Sequence, residues 1–424
     1  MSLPSWCGRA AAVVLTTCGL AQDDLTTRIN QALEDARPAL LGHLQEAADR
    51  STRAGELALV LLAAIHDGVP VTDKLMVAAM KSLAAAKPDQ TYDVALRLMV
   101  LEACAEFPDR LKLAKADGKT LLEHRNNNGT FQYMRRPAGW DLSNTQYGAL
   151  GLRAAAALGV TVERSVWSKL AAEVGEQQDS YGGFGYHTRH GNEQLGYASM
   201  TAAGIAVLAI CQQALGEDPD PKKPLQQRIN RGWQWFVTNS QTIGSPRERW
   251  SYYFHYGLER AAILTDVKTL ANGVDWYAVG ARMLVDAQEA GGGWRSQTDG
   301  YPGGQLSGGR GASVPTSFAI LFLRRMFKKV VAPITPHVVT LASLGAKSKD
   351  ADVEACAAEL LRRGKAAMTD IVKGLRGEHA TQRRAASQAL AGIAGDTFGF
   401  DPALDQDGNR DAVHKAELWF LRNR

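Results

Sequence analysis

The densest cluster of aromatic and ionisable side chains in the chain is Trp250, Tyr252, Tyr253, His255, Tyr256, Glu259 and Arg260. On a helix, Tyr252, Tyr256 and Glu259 share one face, while Tyr253, Tyr256 and Arg260 share a neighbouring one. Such faces could wall a cavity for an apolar or sugar-like ligand, with Glu259 and Arg260 placing its polar groups. The competing reading is packing between helices, with the two charges paired. A second point of interest is Asp141-Leu142-Ser143-Asn144-Thr145, a lone carboxylate at a helix start. A single carboxylate has no neighbour with which to share a proton, so an N-cap or helix-dipole role competes with acid catalysis there. Asp141 and Glu259 are the candidate catalytic carboxylates. His187 and His190 flank Thr188-Arg189, with Glu193 close by. Two histidines three apart can converge on a metal, but no third ligand is fixed, and a polar rim loop is the simpler reading. Tyr133, Trp140, Tyr186, His187 and Trp294 complete the candidate ligand-binding set with Asp141 and the cluster around Tyr253.

Other chemistries are excluded by what their motifs require. The glycine-rich run Gly303 to Gly311 lacks Gly-Lys-Ser/Thr and a preceding strand, so it reads as a crossover loop and not a phosphate loop. Asp401, Asp405, Asp407, Asn409 and Asp411 lack the glycine and terminal glutamate of a calcium loop. Cys104, Cys211 and Cys356 are far apart, form no CxxC pair and fall in Ala/Leu-rich stretches, where a cysteine serves as a small hydrophobe. No metal or other cofactor is expected. A formal charge of +4 over 424 residues, with no Lys/Arg block, gives no footprint for nucleic acid.

The elements that must position these residues are helices. Alanine and leucine dominate, and β-branched alternation is rare. A unit recurs: a glycine-plus-aromatic loop, a polar threshold, then an Ala/Leu-rich helix. Asn128-Gly129-Thr130-Phe131-Gln132-Tyr133 leads through Asp141 to Tyr147 into a helix ending near Leu158. Tyr181-Gly182-Gly183-Phe184-Gly185-Tyr186 leads through Ser199-Met200-Thr201 to Leu215. Trp250-Ser251-Tyr252-Tyr253 runs directly into its helix, and Gly291-Gly292-Gly293-Trp294-Arg295 leads through Val314 to Ser317. A degenerate copy starts at Thr91. The helix starts recur about every 55 to 60 residues. Between them lie amphipathic helices, carrying Trp167, Leu170, Ala171 and Val174, then Ile229, Trp233, Phe236 and Val237, then Trp276, Val279, Met283 and Leu284 on one face. Helices apolar nearly all round must be buried on both sides, which two concentric rings would provide.

Gln178-Asp179-Ser180-Tyr181-Gly182-Gly183-Phe184 and Gln288-Glu289-Ala290-Gly291-Gly292-Gly293-Trp294 resemble the Gln-to-Trp/Phe repeat of squalene cyclases and protein prenyltransferase β subunits. The resemblance covers roughly residues 50 to 330. It implies an all-α fold, an α/α toroid, of the kind found in bacterial squalene-cyclase-like proteins of unassigned function. The Asp-x-Asp-Asp acid of the cyclases is reduced here to Asp141, and the zinc-binding Asp-x-Cys segment of the prenyltransferases has no counterpart. The enzyme activities of the fold therefore do not carry over by residue matching.

Pro333 and Pro336 mark a change of character. Val353–Arg363, Ala367–Leu375 and Gln382–Ile393 read as short helices that resemble HEAT-type repeats, followed by a cap ending at Trp419-Phe420. At the other end, Arg9, the apolar run Ala10 to Leu20 and the small residues before Gln22 read as a signal peptide over residues 1–21. Thr17 is larger than the residue usual before a lipidated cysteine, which argues against anchoring at Cys18. The organisation expected is a signal peptide at 1–21, a toroid over 22–332 and a HEAT-like segment over 333–424. The expected function is an exported, non-catalytic module without a transmembrane segment, binding an apolar or carbohydrate ligand or a protein partner. The alternative is a divergent terpenoid-cyclase-like or carbohydrate-active enzyme that uses the central cavity, the latter needing two carboxylates about 5 to 9.5 Å apart.

Overall fold

The computed structural model describes residues 10–49, 54–134, 139–186, 195–299, 312–325, 341 and 344–422. His187, His190, Glu193, Gly303 to Gly311, Pro333 and Pro336 lie outside the described residues, as does the start of the expected signal peptide. The fold is all-α. The chain divides into two compact units, Met1–Pro336 and His337–Arg424.

The first unit holds α1 (Ala10–Asp49), α2 (Ala54–His66), α3 (Lys74–Ala85), α4 (Thr91–Ala103), α5 (Arg110–His124) and α6 (Leu142–Ala157). It continues with α7 (Arg164–Glu176), α8 (Ala198–Ala214), α9 (Pro224–Thr238), α10 (Ser251–Thr265), α11 (Trp276–Asp286) and α12 (Ser313–Arg324). Two kinds of helix alternate. Every residue of α6 except Ala157 and every residue of α8 except Gln213 is buried. By contrast, α7 and α9 bury one stripe, Val166, Trp167, Leu170 and Val174 in the first and Ile229, Trp233 and Phe236 in the second. A helix without a polar face cannot border water, so the even-numbered helices lie inside.

Their neighbours form a closed cycle. Helix α2 packs on α4, α4 on α6, α6 on α8, α8 on α10, α10 on α12, and α12 back on α2. The odd-numbered helices pack against them, and α1 bridges the joint by touching α2, α11 and α12. Small residues let the inner helices approach closely: a Cβ on Gly151 of α6 would stand 2.8 Å from the Ala95 Cα of α4.

One local device recurs in three of the repeats. The N–H groups of Phe131, Phe184 and Trp294 donate to the hydroxyls of Thr145, Thr201 and Thr316 on the following inner helix, at 3.1, 3.1 and 3.0 Å. The rings of Phe131 and Phe184 then lie on Gly148 and Gly204, where any side chain would overlap them. Glutamine supplies the other tie. Gln178 Nε2 donates to the carbonyls of Gly182 (2.9 Å) and Arg228 (2.8 Å). Gln288 Nε2 donates likewise to Gly292 and, at the joint, to Ala32 of α1, both at 2.7 Å. The joint is further clasped by Asp67, whose enclosed carboxylate takes Arg37 of α1 at 2.8 Å and Arg324 of α12 at 2.6 Å.

The second unit holds α13 (Asp350–Arg363), α14 (Met368–Leu375), α15 (Ala380–Ala394) and α16 (Arg410–Arg422). Helix α13 packs on α15, and α14 packs on α15 and α16. Its core includes Val353, Leu360, Ile371, Leu390 and Phe420. In the acidic loop, Asn409 donates to the Asp401 carbonyl at 2.7 Å and accepts the Asp401 N–H at 2.9 Å, which fixes the turn before α16. Among the described residues, no group of three His, Cys, Asp or Glu could hold a metal ion, and no helix is long and apolar enough to cross a membrane. Cys104, Cys211 and Cys356 are buried thiols.

Candidate functional site

Asp141 is the N-cap of α6, with extended backbone before the first turn. Its Oδ1 accepts from Ser143 Oγ at 2.7 Å and from the Asn144 N–H at 2.8 Å, and Oδ2 accepts from Asn144 Nδ2 at 2.8 Å. Both oxygens are thus engaged by the start of their own helix. Replacing Asp141 with alanine would leave those donors enclosed without an acceptor, and we expect a loss of about 2 kcal/mol of stability, read from the urea midpoint.

Tyrosines gather around this carboxylate because the inner helices begin beside one another. The loop of a later repeat closes the starts of α4, α6 and α10. The Tyr133 carbonyl accepts the Thr91 N–H at 3.0 Å, and the Tyr186 carbonyl accepts the Leu142 N–H at 2.9 Å. Asp299 Oδ1 accepts the Tyr253 N–H at 2.9 Å, supplying α10 with the cap that Trp250, in the left-handed region at φ 61°, cannot give. Tyr133 and Tyr186 join hydroxyls at 3.1 Å, and the Tyr253 hydroxyl donates to Gln146 Oε1 at 2.6 Å. Tyr133, Tyr186, Tyr197 and Tyr253 keep partial exposure. Burial pushes the Tyr186 and Tyr253 hydroxyls well above their usual range, and the negative charge of Asp141 adds to the effect. Tyr197 is pushed up to about 12, first by burial. These hydroxyls stay protonated near neutrality and serve as hydrogen-bond donors, not as bases.

Aromatic rings of four inner helices meet beside them. Tyr92 of α4 lies on Tyr147 of α6 with ring centroids 4.2 Å apart, and Tyr147 is stacked on Tyr253 of α10 at 6.3 Å. Phe318 of α12 meets Tyr253 at 6.2 Å and Tyr256 at 4.9 Å. One turn deeper, Arg260 stands 4.3 Å over the Tyr256 ring and pairs with Glu259 at 2.9 Å, both side chains being enclosed (2% and 0% exposed). Burial opposes the Arg260 charge, but the Glu259 carboxylate and Tyr256 outweigh it and raise its pKa.

The site residues read from the sequence therefore separate into four places. Tyr133, Asp141, Tyr186 and Tyr253 meet at the ends of the inner helices. Tyr256, Glu259 and Arg260 lie deeper. His255 and Trp294 are spent on packing: the His255 nitrogens lie 2.7 and 2.8 Å from the carbonyls of Ser251 and Ile243, and Trp294 Nε1 donates to the Leu284 carbonyl at 2.7 Å. Burial lowers the His255 pKa against the pull of those two carbonyls. Tyr252 turns outward from the cluster, and Trp140 donates to Glu173 at 3.2 Å on the outer side. His187 lies outside the described residues. Tyr92, Gln146, Tyr197, Asp299 and Phe318 join the site only in three dimensions. The one signal for Asp299 was its place eight residues after Gly291.

A scan against protein-family models found no match, and a search of curated proteins found none.

Proposed function

We propose that residues 22–332 form an α/α toroid that works as an exported, non-catalytic binding module. The ligand it fits best is of carbohydrate type, held in the tyrosine-lined recess around Asp141. The closed cycle of inner helices supports the toroid, and the packing of α13 to α16 in pairs supports a HEAT-like reading of the second unit. The observation that carries the functional reading is the group of partly exposed tyrosines gathered around Asp141. Among the described residues Tyr92, Tyr147, Tyr253 and Phe318 pack ring against ring between the inner helices, and the partly exposed tyrosines beside them offer ring faces and hydroxyl donors to a polyol. Asp141 has both oxygens committed to donors at the start of its own helix. The short apolar run before Gln22 supports export.

The test is calorimetric titration of the full chain with a panel of oligosaccharides, alongside product analysis after incubation with squalene and farnesyl diphosphate. Saturable oligosaccharide binding, weakened about tenfold by Tyr186→Ala, is expected, with no isoprenoid product. Turnover of either isoprenoid that disappears in Asp141→Ala would overturn the reading.

A further inference from the structure

On the other side of α10 from the tyrosine cluster, a cavity of about 330 Å³ opens between the loop before that helix, the face of α11 and the stretch after Trp294. Its size lies in the range of small-molecule sites. Arg247, Arg249 and Arg295 line it, with Glu248 as the acidic residue among the lining. Tyr252, Met283 and Ala287 give the same cavity an apolar side. Ser251 also lines it, is 7% exposed, and its hydroxyl has no hydrogen-bond partner. A buried hydroxyl left unpaired costs free energy unless something outside the protein completes it.

We infer that this cavity binds a small organic phosphate monoester, with the phosphate on the arginines and the Ser251 hydroxyl and a short aliphatic part on Tyr252 and Met283. Guanidinium groups match phosphate oxygens in pairs, and three of them against one carboxylate leave the lining cationic. Arg295 makes an exposed pair with Glu289 at 3.0 Å, which is weak enough to exchange for a ligand. Arg249 lies 5.6 Å over the Trp250 ring, which orients it without neutralising it. The helix start itself contributes little, since Asp299 already accepts the Tyr253 N–H.

The inference is tested by titrating the full chain with butyl phosphate, inorganic phosphate and butyrate, and repeating this with Ser251→Ala and with Arg247→Ala/Arg295→Ala. Ser251→Ala removes no existing hydrogen bond, so its melting curve should match the parent. Saturable butyl phosphate binding is expected, weakened about fivefold by Ser251→Ala and at least about tenfold by the arginine pair, with the other two ligands weaker. Absence of saturation at millimolar ligand, or saturation indifferent to both variants, would overturn it. Butyrate or inorganic phosphate binding as tightly as butyl phosphate would overturn the assignment of a phosphate head with an aliphatic tail.

Discussion

Replacing Gly292 with alanine is expected to destabilise the first unit by about 3 kcal/mol or more, because two independent penalties fall on one residue. Its φ of +78° lies in the region that side chains rarely adopt, and an added Cβ would overlap the carbonyl oxygen of Asp35 in α1. Neither can be relieved alone. Turning the backbone away breaks the Gln288 bonds to the Gly292 and Ala32 carbonyls, and backing α1 away strains the Arg37–Asp67 clasp. The affected contact is the joint that closes the cycle between α11 and α1, so the loss should be cooperative. A melting midpoint lower by several degrees, with faster proteolysis within α1, is the expected result. Gly291→Ala is the control, since a Cβ there would meet nothing within 4 Å and the backbone lies outside the positive-φ region. Equal behaviour of the two variants would show that α1 does not lock the ring. Gly182 has the same geometry against the Arg231 carbonyl, so Gly182→Ala should behave like Gly292→Ala within the body of the cycle.

The second large effect is expected at Glu259 and Arg260. Glu259→Gln would leave a guanidinium enclosed without its carboxylate, at a cost of about 3 to 5 kcal/mol. Arg260→Met should cost a similar amount for the converse reason. The double variant Glu259→Gln/Arg260→Met removes both charges together, so its loss should be smaller than the sum, by about 1 to 3 kcal/mol. Urea midpoints for the four proteins give the cycle directly. Losses that add within about 0.5 kcal/mol would mean that the two groups are stabilised separately by their surroundings. The pair lies one turn deeper than the tyrosines of the proposed recess, so the same variants test the site. If that layer loosens, oligosaccharide affinity should fall even though neither residue is exposed.

How far the sequence could be read depends on how local each feature is. The inner helices were legible because their apolar pattern leaves no polar face, and α7, α9 and α11 because theirs leaves one. The glycine loops were legible too: Gly182 and Gly292 sit where the chain must turn with positive φ, a demand that few other residues meet. The split near Pro333 and Pro336 lies in a stretch whose structure is not described, while the second unit's helices fall close to the segments marked by apolar spacing.

Partner choice across the chain was not legible. The same residue types that suggested one cavity wall in Trp250 to Arg260 face three ways, because successive positions on α10 rotate by about 100° and meet different neighbours. Tyr253 meets Tyr147 and Phe318, Tyr252 meets the arginine-lined cavity, and His255 meets two carbonyls. Nothing in the order of residues announces that Asp299 caps α10 or that α1 receives Gln288, since those bonds join segments 46 and 256 residues apart. Sequence by itself determined that the chain is helical and that its glycine-plus-aromatic loops recur between apolar helices. Tertiary structure alone decided that the tyrosines surround Asp141, that aromatic rings of four inner helices meet beside them, and that an unpaired serine hydroxyl and three arginines come to one cavity. Composition and periodicity act through neighbours along one helix, whereas a site is made by the faces that several helices turn towards one point.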